Sequence, residues 1–325
     1  MEQQIYDIRS NPVATVDCSF ANYLRNRKLM EAKRMEGNGI PNYAFGLDYE
    51  TRKKLDSIPG FYSTSKTLTT TYVSQEIHEQ NRNALAVGPN QFPEIYEIAK
   101  DCARILGIAI PNIFINSGME FNAYTFASDD IEPVVVIYNG LRNHMTLNEL
   151  KFIIGHECGH IQNYHTSYSY VSEVVLNVGV NMASGVNAWL AGLMSFGSTA
   201  ALSTWSRASE VTADRAGMLC ADSIEDCYSA IAKLLYGGTI GQQDNISYEA
   251  ILEQLDETMG SIAKYDELLS SHPSGARRLK ALQEFAECEM YYEWRPDQRK
   301  PGQVMRSKAD TDERCKRYID LTKKG

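Results

Sequence analysis

The sequence has no excess of basic residues. It carries 32 Lys and Arg against 41 Asp and Glu, so its formal net charge is −9 over 325 residues. Proteins that bind the phosphate backbone of a nucleic acid need clustered positive charge. We therefore expect no nucleic acid among the partners of this protein.

Paired cysteine motifs are also lacking. The seven cysteines are odd in number and show no C-x-x-C spacing, which argues against a disulfide framework and a cysteine zinc knuckle and favours a reducing compartment. Residues 1–16 contain no basic region followed by an apolar one, so a secretory signal peptide is not predicted. These features favour a cytoplasmic protein. Its oligomeric state is unknown from the sequence.

Charged side chains are absent from residues 174–206. A membrane-spanning helix needs about 20 apolar residues, but this run is diluted by glycines and by Asn177, Asn181 and Ser184. We expect buried helices here, with membrane contact through residues 174–206 as the less favoured alternative.

The secondary structure is predicted to be mainly helical with one small sheet. A helical pattern over residues 94–108 is followed by three β-prone segments at 112–116, 121–126 and 133–138, each bounded by turn-forming residues. The later segments show helical periodicity without a comparable strand signal. The fold class predicted is therefore α+β, mainly α.

The next predicted helix contains candidate metal-binding and catalytic residues. Thr146 and Glu149 form a capping box, which predicts a helix starting near Leu147. His156 and His160 are four residues apart, so their imidazoles lie on one helix face beside the carboxylate of Glu157. Two imidazoles can bind Zn²⁺, and an adjacent carboxylate can take the proton from the attacking water.

A second helix offers a third ligand. Glu210 and Asp214 are also four residues apart, and Glu210 can complete a His, His, Glu set that leaves a fourth position for water. Asp214 can accept the remaining N–H of a ligand imidazole. Taken alone, Glu210 and Asp214 would more often belong to an exposed helix face. Together with His156 and His160, they are better explained as part of a metal site.

Four ordered motifs resemble those of the gluzincin metallopeptidases, the group that includes HtpX-like membrane proteases, CAAX prenyl endopeptidases and the soluble minigluzincins. The motifs are, in chain order, the N-A-Y segment at 122–124, HECGH at 156–160, EVTADRAG at 210–217, and His272-Pro273 followed by Arg278. The resemblance implies a zincin-like core in which a small β-sheet packs against the H-E-x-x-H helix.

The resemblance also implies a role for each matched residue. His156, His160 and Glu210 would hold one Zn²⁺, Glu157 would be the general base and acid, and Asp214 would orient a ligand. An extended substrate peptide would pair with the edge strand formed by Asn122, Ala123 and Tyr124.

Several side chains near these motifs have two interpretations. His272 either stabilises the tetrahedral oxyanion or caps a helix in an ordinary turn, and Arg278 either pairs with an acidic group at the site or is exposed. His144 and His165 are expected at the surface or in caps. Cys158 is expected to pack on the opposite side of the helix.

The predicted organisation has three parts: an N-terminal helical region of unknown role at 1–90, a zinc metallopeptidase domain at 91–290 and a basic tail at 291–325. The tail either is solvated, which we favour, or folds back on the acidic body. The predicted function is a zinc-dependent metalloendopeptidase acting on proteins or peptides. The alternatives are an inactive zinc-bound peptide-binding scaffold and a membrane-associated quality-control protease.

Overall fold

A computed structural model describes residues 35–36, 40–128, 131–169, 198–239, 247–258 and 275–320. The strands are β1 Met35–Glu36, β2 Ile40–Pro41, β3 Ala84–Ala86, β4 Asn112–Asn116, β5 Ala123–Ser128 and β6 Ile131–Tyr138. The helices are α1 Gly46–Asp56, α2 Phe61–Asn83, α3 Pro93–Leu106, α4 Asn139–His144, α5 Leu147–Gln162, α6 Ser198–Cys220, α7 Ile224–Tyr236, α8 Tyr248–Thr258, α9 Gly275–Ala286, α10 Glu289–Trp294 and α11 Lys308–Ile319.

The main sheet has four strands in the order β3-β4-β6-β5. β4 and β6 are parallel, whereas β3 and β5 run antiparallel to their neighbours. α2 packs on one face through Val73, and α3 and α5 belong to the core on the other face. The three predicted strands are thus confirmed, and β5 forms one edge of the sheet.

Helices α5 and α6 cross at unusually close range. A Cβ atom on Gly155 would lie 2.7 Å from the Cβ of Cys220, and one on Gly217 would lie 2.7 Å from the backbone oxygen of Phe152. Only residues without a side chain fit at such a crossing. The glycines therefore bring the two helices that carry the predicted ligands into direct contact.

Described segments toward both ends of the chain pack against this helix pair. In the N-terminal region, Tyr43 is fully buried and donates a hydrogen bond from its hydroxyl to Gln162 on α5, at 2.6 Å. In the C-terminal region, Cys315 and Ile319 of α11 are fully buried. The prediction of a solvated tail is therefore wrong for α11, because this helix buries an apolar stripe.

Two of the predicted features fall largely outside the described residues. His272 and residues 174–197 of the uncharged run are not described. Residues 198–206 of that run form the start of α6. Among the helices that the structure describes, none combines the length and the apolar character needed to cross a bilayer.

Candidate metal and substrate site

The N-terminus of α5 is fixed by the capping box that the sequence predicts. Glu149 N–H donates to the Thr146 hydroxyl at 3.2 Å, and Thr146 N–H donates to the Glu149 carboxylate at 2.7 Å. The same carboxylate accepts hydrogen bonds from Ser229 and Lys233 on α7. α5 is therefore held at its first turn by its own sequence and by a neighbouring helix.

Three possible metal ligands converge between α5 and α6. The Nε2 atoms of His156 and His160 are 3.1 Å apart. The Glu210 carboxylate oxygens lie 3.6 Å from Nε2 of His156 and 3.5 Å from Nε2 of His160. Glu210 follows His160 by fifty positions, and the close helix crossing brings the two together.

The spacing of these donors suits a divalent metal ion. Donors around a tetrahedral ion with bonds of about 2.0–2.1 Å lie about 3.3–3.4 Å from one another, and the observed separations range from 3.1 to 3.6 Å. Three protein ligands from His and Glu are typical of catalytic zinc sites, whereas structural sites use four. These residues can therefore hold a metal ion.

Asp214 and Arg278 support the first ligand. Asp214 Oδ1 accepts a 2.9 Å hydrogen bond from Nδ1 of His156, while the Arg278 guanidinium donates to both Asp214 oxygens at 2.6 and 2.8 Å. Burial raises the pKa of Asp214, but Arg278 and His156 outweigh that effect and keep it below the ordinary value. An ionised Asp214 keeps the proton of His156 on Nδ1 and leaves Nε2 free to bind a metal.

Glu157 is buried beside the two histidines, and burial raises the pKa of its carboxyl group. It lines a cleft of about 720 Å³ together with His156, His160 and Glu210. The cleft is large enough to admit several residues of a peptide. A carboxylate next to the candidate ligands is thus accessible from the same cavity.

The edge strand β5 also lines this cleft. All residues from Asn122 to Phe126 line it, including Ala123 and Tyr124. Successive side chains of a strand point to opposite faces, so an unbroken run of lining residues means that the edge of β5 borders the cavity. The predicted substrate strand therefore lines the same cleft as the candidate metal ligands.

Sequence reasoning missed the contribution of α2. Thr69, Val73, Glu76 and Gln80 line the cleft at helical spacing, and Gln80 donates a hydrogen bond to the Tyr124 hydroxyl at 3.3 Å. The regular three- and four-residue intervals were visible in the sequence, but nothing there indicated which surface this helix covers.

The expectation that His165 lies at the surface or in a cap is wrong. The residue is fully buried, and its Nδ1 lies 2.9 Å from Nδ1 of His160. Burial lowers the pKa of His165, although the nearby Asp48 opposes the effect. His144 is half-buried at the end of α4, and Cys158 is buried as expected.

The model of peptidase family M48 matches residues 89–286, more than half of the chain. The chain belongs to peptidase family M48. This confirms the resemblance carried by the four sequence motifs and the mainly helical fold with a small sheet. The family is one of metallopeptidases, which agrees with the candidate ligand set.

Individual M48 relatives match parts of the chain. The plastoglobule-localized metallopeptidase 48 of Arabidopsis thaliana is 27% identical over 209 residues, which are 64% of this chain and 59% of that protein. A protease HtpX homolog of Streptococcus gordonii is 31% identical over 119 residues, 37% of this chain and 40% of that protein. The chain thus spans about half the length of these relatives. A crystal structure of S. mikatae Ste24p aligns with 73% of this chain and 62% of that chain at 17% identity and a TM-score of 0.39.

Proposed function

We propose that this protein is a zinc-dependent metalloendopeptidase that hydrolyses peptide bonds in protein or peptide substrates. The observation that carries the proposal is the convergence of His156, His160 and Glu210 at a cleft that also exposes Glu157. Zinc bound there would polarise the scissile carbonyl and lower the pKa of the attacking water. In this proposal the three residues are its ligands.

The protein's own groups perform the remaining steps. Glu157 takes the proton of the attacking water and delivers it to the leaving amine. The exposed edge of β5 at Asn122, Ala123 and Tyr124 pairs with the substrate backbone as an added strand, which places the scissile bond opposite the ligands. Asp214 orients His156, and His272 remains a candidate for oxyanion stabilisation.

Metal content and cleavage of unfolded casein together test the proposal. The purified protein should contain about one zinc ion per chain by mass spectrometry and should degrade casein. Glu157→Gln should keep the zinc and lose activity by at least about 100-fold, because the proton carrier is removed. The control Glu253→Gln changes an exposed carboxylate on α8 and should leave both properties unchanged.

The outcomes separate the alternatives. A zinc-bound wild-type protein that cleaves nothing would identify an inactive peptide-binding scaffold. Full activity of Glu157→Gln would exclude the proposed base.

We also propose a cytoplasmic location, supported by the cysteine pattern. The six cysteines among the described residues are buried and unpaired, as expected in a reducing compartment. Fractionation of a lysate without detergent tests this location, because a membrane-associated protease would sediment with the membranes.

A further inference from the structure

The chain leaves the helical path immediately after α5. The helix ends at Gln162, and Tyr164 adopts a left-handed conformation with φ of 59°. His165 N–H then donates to the His160 backbone oxygen at 3.0 Å. A left-handed conformation is normally taken by glycine, and any other residue there costs about 1 kcal/mol or more. This turn places Nδ1 of His165 at 2.9 Å from Nδ1 of His160.

His165 links His160 to a buried carboxylate on α1. Its Nδ1 lies 2.9 Å from Nδ1 of His160, and its Nε2 lies 2.9 Å from Oδ2 of Asp48. His165 and Asp48 are 0% and 3% exposed, so water does not compete for these contacts. Thr212 donates to the same Asp48 oxygen at 2.8 Å, which fixes the carboxylate against α6.

The two contacts allow one proton arrangement in a neutral His165. An ionised carboxylate only accepts hydrogen bonds, so Nε2 of His165 donates to Asp48. Nδ1 of His165 must then accept, and Nδ1 of His160 donates to it. The remaining nitrogen of His160, Nε2, is left with a lone pair that faces Glu210 and His156.

The Nε2 atom of His156 is also left with a lone pair, because Nδ1 of His156 donates directly to Asp214 without an intervening histidine. Both candidate ligand histidines then carry a lone pair on Nε2, and these two atoms lie 3.1 Å apart with the Glu210 carboxylate 3.5 and 3.6 Å away. Such a cluster of electron pairs is repulsive on its own, and a cation relieves the repulsion. The surroundings of both rings therefore prepare the cluster for a metal ion.

We propose that His165 and Asp48 are positioning residues, which hold His160 in the orientation and tautomer that bind the metal. This inference rests on the proposed metal site. It assigns part of that site to α1, which precedes the segment matched to the family. A purely structural role is the competing explanation, because His165 also packs edge-on against Trp205, with ring centroids 5.9 Å apart.

Two substitutions of His165 separate these explanations. His165→Phe keeps an aromatic ring against Trp205 but removes the acceptor for His160, whereas His165→Asn keeps an acceptor near the position of Nδ1 and gives up the ring. The readout is zinc affinity in competition with a chromophoric chelator, with circular dichroism to check folding. We expect a loss of about 10- to 100-fold for His165→Phe and a substantial recovery for His165→Asn. His78→Phe, at an exposed histidine of α2, is the control.

A folded His165→Phe protein with wild-type zinc affinity would overturn the proposal, as would equal losses in the two variants. If His165→Phe does not fold, Asp48→Asn decides the question. It nearly preserves the shape of the side chain and should also weaken zinc binding, so wild-type affinity in this folded variant would overturn the proposal.

The tautomer of His160 gives a readout that needs neither metal nor activity. In the metal-free wild-type protein, nitrogen chemical shifts of labelled histidine should show His160 protonated at Nδ1, and Asp48→Asn should produce a mixture. Protonation of wild-type His160 at Nε2 would contradict the inference. A protein that binds zinc through this network but cleaves nothing would contradict only the proposed function.

Discussion

Gly159 of α5 lies directly against Ala216 of α6, so closely that a Cβ atom on Gly159 would stand 2.5 Å from the Cβ of Ala216. The same atom would lie 3.1 Å from the backbone Cα of Ala213. The glycine inside the H-E-x-x-H segment is thus required by helix packing, and it sets the distance between His160 and Glu210.

Gly159→Ala should push the two helices apart. We expect a destabilisation of about 1–3 kcal/mol from overpacking and weaker zinc binding, because Glu210 moves away from His160. Urea denaturation and chelator competition measure the two effects. Gly88→Ala is the control, since its added Cβ atom would have no neighbour within 4 Å. A Gly159→Ala protein with unchanged stability would contradict this account of the crossing.

Arg278→Lys tests the support of His156. The guanidinium holds Asp214 through two parallel hydrogen bonds, a geometry that an ammonium group does not reproduce. We expect zinc affinity and casein cleavage to fall by about 10- to 100-fold while the protein remains folded. Arg314→Lys, in an exposed pair with Asp310, should change neither. Wild-type zinc affinity in Arg278→Lys would show that Asp214 is positioned without the arginine.

Glu149→Gln should lower stability in a pH-dependent manner. Burial raises the pKa of Glu149, but Lys233, Ser229 and Thr146 N–H outweigh it and keep the pKa below the ordinary 4.5. The stabilisation is therefore present above about pH 4.5 and is lost as the pH falls through the folded-state pKa.

At pH 7 the Glu149→Gln substitution should cost about 1–3 kcal/mol, and its difference from the wild type should shrink well below pH 4.5. Urea denaturation at both pH values measures this. A difference that stays constant with pH would mean that the carboxylate charge contributes nothing.

Asp312→Asn should strongly destabilise the protein. Arg215 is fully buried, and its guanidinium lies 2.8 Å from Asp312 of α11. Removing one partner of a buried ion pair leaves the other charge uncompensated, at a cost of about 3 kcal/mol or more. Asp310→Asn removes an exposed carboxylate from the same helix and should cost less than about 1 kcal/mol. Similar unfolding midpoints for the two variants would refute the structural role of the pair.

The sequence predicted the parts of the fold that depend on local signals. The capping box at Thr146 and Glu149 lies within one helical turn, so it located the start of α5. The strand segments were bounded by turn residues and carried β-branched side chains. The convergence of the candidate ligands could also be anticipated, because four-residue spacing on two helices limits the direction in which His156, His160 and Glu210 point.

The position of His165 could not be predicted in this way. Five residues after His160 on a continuing helix, its side chain would point away from the ligand face. The helix instead ends at Gln162, and Tyr164 adopts a left-handed conformation that its residue type does not indicate. Long-range contacts such as the one with Asp48 have no local signature.

The burial of α11 could have been predicted from the spacing of three of its residues, but the prediction for the tail was based on net charge alone. Thr311, Cys315 and Ile319 recur every four residues and are all fully buried. Counting charges over the whole tail averages this stripe with the exposed lysines and arginines around it.

The position of Asp48 has a practical consequence for protein engineering. A shortened version that began where the family match begins, at residue 89, would keep the H-E-x-x-H helix yet delete both Asp48 and Tyr43, which bonds to the end of that helix. Such a shortened protein would need a replacement for α1, because the helix that carries His156 and His160 is supported by residues outside the family match.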